Sequence, residues 1–209
     1  MIPGVYLPLR SVLVTTPTGN ILISPIEFTG EQLENIQSQG DVIAIVAPSA
    51  LHNLWVVQAK NRFRKAAVWG VPGLKAHNPA VPCDKLLTRD AWPFIADLIP
   101  QPLAAIDDLD EVVFLHPESK SLIVMDLVFN IKKPQGLLAP IVYRVFDSYK
   151  KLSVSKMFAR KIKDRAAFRA SIEKVLAFDF DRLVMAHGDI VATNGKAKLR
   201  EALSHRGLL

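Results

Sequence analysis

Apolar positions in this chain follow two periodicities. Residues 42–47 form an unbroken β-branched and alanine run, and residues 122–125 and 183–186 repeat the pattern between polar or turn residues. Such short runs between breakers predict buried strands. The start predicts a hairpin: strands over 11–15 and 21–24, joined through Pro17, Thr18, Gly19 and Asn20, with Gly19 and Asn20 supplying positive φ. Thr29 followed by Gln32 has the spacing of a capping box, and Gly40 is a stop signal, so a helix is expected over about 30–39. Residues 54–65 predict a helix with basic residues near its end, and 66–71 a strand closed by Pro72 and Gly73. Residues 77–101 carry prolines at 79, 82, 93 and 100 and predict an irregular excursion with one helix at most. A second hairpin is expected from 111–116 and 121–127, then helices over 137–152 and 155–177, a strand over 182–186 and a terminal helix over 195–206. This order predicts an α+β protein, an αββα sandwich of two mixed β-sheets with helices on the outer faces.

Three of the strand-like runs lead into residues able to bind a metal: 42–47 into His52, 122–125 into Asp126, and 183–186 into His187. Sites are commonly assembled at such strand ends. An acid ending an apolar strand is costly to bury unless it is paired, hydrogen-bonded or on a metal. Asp126 therefore faces a cation, a lysine or backbone N–H groups. His52 follows Pro48 and Ser49 and has the alternative of capping the next helix; His187, Gly188 and Asp189 have the alternative of a simple turn, whereas in the metal-site reading Asp189 orients an imidazole. His116 is expected at the hairpin turn, His205 on the tail surface, and His77 and Cys83 in the Pro-rich excursion.

Half of the 209 residues are hydrophobic, enough for one domain over residues 1–209 with a large core. No apolar run approaches bilayer length, and residues 1–10, with two prolines, a glycine and an early arginine, lack the pattern of a signal peptide. The single cysteine, Cys83, excludes an internal disulfide framework and a Cys-rich zinc site, and fits a reducing compartment, the cytoplasm. Net charge is +6, and residues 144–174 hold ten basic residues against three acids. That segment is either a solvated helical face or the site of an anionic ligand: nucleic acid, a membrane surface or a phosphorylated molecule.

Residues 41–52, 112–129 and 183–188 resemble, in order and spacing, the strand-and-ligand segments of the metallo-β-lactamase fold, and the opening hairpin resembles its first strands. The likeness covers nearly the whole chain. It departs from the family at the His-x-His-x-Asp-His signature: Ala47, Ser49 and Leu51 stand at the first three positions and only His52 remains, and residues 102–110 lack a further expected histidine. The resemblance then implies one divalent ion, zinc, iron or manganese, held by His52, Asp126 and His187. Two imidazoles and a carboxylate with open positions suit a hydrolytic zinc or non-haem iron centre. The implied function is a mononuclear metal-dependent hydrolase of a small-molecule substrate, or a catalytically inactive relic of the fold used for binding or assembly. The oligomeric state is left open.

Overall fold

The computed structural model describes residues 4–106 and 109–209. The described residues form two compact units, one of residues 10–93 and 109–110, the other of residues 4–9, 94–106 and 111–209.

The first unit is built on a five-stranded sheet ordered β1(Val12–Thr16), β2(Gly19–Ile23), β3(Val42–Ala47), β4(Ala67–Gly70), β5(Lys85–Leu86). The first pair is an antiparallel hairpin and the remaining neighbours are parallel. In its turn Gly19 alone takes positive φ (137°). Asn20 is instead buried, its amide donating to the Gln39 carbonyl at 3.0 Å. Central β3 is buried at five of six positions, as an uninterrupted apolar run requires. The helices are α1(Gly30–Ser38), α2(Val56–Arg62) and α3(Leu74–His77). The expected capping box is present: the Gln32 N–H donates to Thr29 Oγ1 at 3.3 Å, and the Thr29 N–H donates to Gln32 Oε1 at 2.9 Å.

The second unit holds a four-stranded mixed sheet in the order β11(Arg182–Met185), β8(Ser121–Val124), β7(Val112–His116), β6(Ile99–Pro102), with a separate pair β9(Phe129–Asn130) and β10(Leu152–Ser153). Two short strands, β5 and β6, lie in or beside the stretch expected to be irregular. Pro100 and Pro102 are tolerated because β6 is an edge strand, where a missing N–H breaks no second ladder.

The helices of this unit are α4(Ala139–Val145), α5(Lys156–Arg160), α6(Arg165–Ala177) and α7(Gly195–His205). The single helix expected over 155–177 is therefore two. Ser155 caps the first through the Phe158 N–H, and Asp164 caps the second through Ala166 and Ala167. Between them Ile162 pairs with Ile106 and the Lys163 N–H donates to the Ala105 carbonyl, so β-type bonds replace the helical ladder. The helix expected over 137–152 ends at Val145, since Asp147 and Lys150 both adopt left-handed backbone (φ 55°) and residues 152–153 pair with β9.

Asp147 secures that reversal. Its carboxylate accepts from Lys151 at 2.5 Å and Arg206 at 2.7 Å and lies 3.3 Å from His205 Nε2, tying the loop to the end of α7. The Lys151 hydrogen bond above all, with Arg206, lowers its pKa from the ordinary 3.8 to about 2. A folded-state value below the unfolded one contributes stability that is present above about pH 4 and lost as pH falls toward 2. With the side chain only 26% exposed, Asp147→Asn is expected to cost about 1–2 kcal/mol at neutral pH. Urea unfolding at pH 7 and pH 2.5 checks this: the difference between wild type and variant should close at the acid end.

Candidate metal centre

Strand register decides what Asp126 and His187 do. Parallel β8 and β11 pair Ser121 with Arg182 and run residue for residue to Val124 with Met185. Two residues past the last pair, the same register sets Asp126 opposite His187, at the carboxyl ends of the strands. Open α/β sheets build their sites at such ends. The His187 Nε2 lies 3.2 Å from Asp126 Oδ1, with the two side chains 3% and 14% exposed.

The imidazole is held from several sides. Its Nδ1 is 2.9 Å from the Pro8 carbonyl oxygen, which can only accept, so Nδ1 carries the hydrogen. The Phe129 ring stacks on it at 5.0 Å and 10°. The His187 carbonyl accepts from the Asn130 N–H at 3.0 Å, and Gly188 follows at φ 104°. A Cβ at Gly188 would collide with the Asn130 carbonyl, so the close approach of these two segments requires glycine. Asp189 was expected to orient the ring; that role falls to Pro8 and Phe129, and what Asp189 contributes is its backbone, which exchanges hydrogen bonds with Asn130.

With Nδ1 protonated, Nε2 directs a lone pair at a carboxylate oxygen unless a proton or a cation stands between them. Two ligand atoms each about 2.1 Å from one ion at a tetrahedral angle lie roughly 3.4 Å apart. The observed 3.2 Å fits that span. The chemistry of the pair therefore suits a divalent ion.

Beneath it lies a residue that sequence reasoning missed. Glu111 is fully buried and accepts the backbone N–H groups of Met125 at 2.8 Å, Asp126 at 3.0 Å and Leu127 at 3.3 Å. This clamp fixes the turn that carries Asp126. Burial first, and the neighbouring Asp126 carboxylate second, push the Glu111 pKa up from 4.5 to about 8. The available signal was an acid abutting the apolar run of β7.

His52 belongs to the five-stranded unit. The Ser49 hydroxyl accepts the N–H groups of Leu51 (3.3 Å) and His52 (3.2 Å), turning the chain just past β3. The His52 Nδ1 lies 2.8 Å from the Ser24 hydroxyl. Ser24 follows the neighbouring strand β2, is buried, and takes a left-handed backbone (φ 50°) uncommon for serine. Asn53 is buried and accepts from the Asn78 side chain at 2.9 Å. His116 ends β7 with Nδ1 2.7 Å from Ser119 Oγ, and the Cys83 thiol donates to the Lys85 carbonyl.

A family model described as a domain of unknown function, DUF4336, matches residues 1–142. No curated protein matches the sequence. Similar solved structures include a metallo-β-lactamase from Pontibacter korlensis, 19% identical over 98% of this chain and 89% of that one, with a TM-score of 0.66. TTHA1623 in a di-iron-bound form is 20% identical over 94% and 96%, with a TM-score of 0.59. The metallo-β-lactamase FIM-1 from Pseudomonas aeruginosa, in a mono-zinc form, is 14% identical over 97% and 86%, with a TM-score of 0.61. At these identities the likeness establishes the α+β metallo-β-lactamase fold for this chain.

Proposed function

We propose, for a chain that belongs to the DUF4336 family and has the metallo-β-lactamase fold, that it is a mononuclear metal-dependent hydrolase whose ion is held by Asp126, His187 and His52. The observation that carries the reading is the Asp126–His187 pair, with the imidazole Nε2 and a carboxylate oxygen 3.2 Å apart at the ends of parallel strands. Both units are read as parts of one metallo-β-lactamase-like domain. His52 enters as third ligand by its place in the sequence order of the metallo-β-lactamase signature it resembles, with Nε2 as the ligating atom because Nδ1 is engaged by Ser24.

Each residue has a definite task. Pro8 keeps the hydrogen on His187 Nδ1 and so keeps Nε2 available as a base or ligand. Phe129 covers one face of that ring and shields it from water. Glu111 holds the 125–127 backbone and thereby the aim of the Asp126 carboxylate. A divalent ion bound here would lower the pKa of a coordinated water toward neutrality, the chemistry needed to hydrolyse an ester, amide or phosphoester.

A single ion is favoured over two because Ala47 and Ser49, which align with the first two histidines of the metallo-β-lactamase signature, are fully buried, and the Ser49 hydroxyl is used to turn the loop. The same substitution favours the second reading, a binding or assembly protein that has kept the fold without catalysis. We place the protein in the cytoplasm, on its single cysteine. Among the described residues no helix is long and apolar enough to cross a membrane. Metal analysis of protein purified without chelator and then offered zinc, iron or manganese tests the reading. One equivalent per chain is expected; two would show that the altered signature still supports a second position, and none would leave the non-catalytic reading.

A further inference from the structure

Residues 127–163 contain nine basic side chains and a single acid, Asp147. That acid is already bound by Lys151 and Arg206. Helix α4 lies within this segment, and its outer row is apolar: Leu137, just before it, and Ile141 and Val145 in it are 90%, 61% and 60% exposed. Residues four apart on a helix are neighbours, so these three form one stripe, and Arg144 flanks it. The rest of the rim is set by backbone and ring contacts. The Lys150 N–H donates to the Ile131 carbonyl at 3.2 Å, which brings Lys150 beside Lys132; the Lys156 N–H donates to the Phe146 carbonyl at 3.0 Å, which brings the start of α5 to the end of α4. Arg144 and Lys150 both lie over the Tyr149 ring, at 3.9 and 5.3 Å.

An exposed row of large aliphatic side chains flanked by Arg144, with lysines in the adjoining segments, combines the two attractions of an interfacial element, apolar burial and charge. We propose that this face docks on an anionic membrane surface, with Leu137, Ile141 and Val145 entering the boundary between headgroups and acyl chains and the basic rim meeting the headgroups. A second copy of the chain fits the face less well: a two-fold contact would set the same basic rim against itself, and the one acid of the segment is already engaged. Nucleic acid would satisfy the rim and leave the apolar stripe in water. The inference goes beyond the hydrolase reading and does not depend on a metal.

Co-sedimentation of the full chain with vesicles tests it. Wild type should bind phosphatidylcholine vesicles doped with phosphatidylserine, bind neutral phosphatidylcholine vesicles far more weakly, and lose affinity steeply with added salt. A triple variant, Leu137→Ser, Ile141→Ser and Val145→Ser, changes exposed positions only and should keep the wild-type circular dichroism and melting profile while losing at least about tenfold in vesicle affinity. Lys132→Ala with Arg144→Ala should erase the preference for anionic vesicles. The proposal is overturned if the triple serine variant binds like wild type, or if wild type ignores anionic vesicles. Dimerisation that Ile141→Ser abolishes, without any vesicle binding, would assign the face to a second copy; heparin retention without vesicle binding would assign it to a polyanion.

Discussion

Replacing His187 with alanine is expected to remove metal binding while leaving a folded protein. The variant loses Nε2, and removing even an outer partner of a metal ligand typically costs 10–100-fold in affinity. Loss of a ligand atom should therefore exceed about 100-fold. Asp126→Ala should behave alike, because the two side chains supply atoms 3.2 Å apart. Asp189→Ala is the control, since that residue serves through its backbone, and it should retain wild-type affinity. Isothermal titration of chelator-treated protein with zinc reads all three. If His187→Ala bound zinc as wild type does, the Asp126–His187 pair would be a structural contact and the ligand assignment would be wrong.

The second large effect is one of stability. Glu111→Ala should destabilise the fold by about 3 kcal/mol, since three backbone N–H groups lose a buried acceptor. For a chain of this length that corresponds to a fall in Tm of roughly 6–12 °C. Glu111→Gln should fall between, because its amide oxygen still accepts while its NH2 faces donors. Differential scanning calorimetry in the presence of chelator separates this from any effect of bound metal. A Glu111→Ala protein melting within about 1 °C of wild type would show that water replaces the carboxylate without cost.

Much of this architecture is local information. The runs at 42–47, 122–125 and 183–186 are strands or strand-ends because their β-branched, unbroken patterns fit burial on both faces. Thr29 and Gln32 announced α1 because a capping box is made within four residues. Patterns failed where the deciding partner was remote. The helical periodicity through 155–177 is continuous, yet Ile162 and Lys163 turn to Ile106 and Ala105 instead of to their own helix. Pro100 argued against a strand, and only the edge position of β6 admits it together with Pro102.

The sequence by itself determined which residues stand past the ends of the strands, Asp126 and His187 among them, because strand length and breakers are written within a few residues. It also determined the charge of the 127–163 segment. Only the tertiary structure decided that β8 and β11 are parallel neighbours in a register that sets Asp126 opposite His187, that the Pro8 carbonyl holds a ring 179 positions away, and that Glu111 receives three N–H groups from the next strand's end. The physical reason is that strand partnership and buried hydrogen bonds are settled by which surfaces can be packed and satisfied together, a condition on the whole chain that no local window contains.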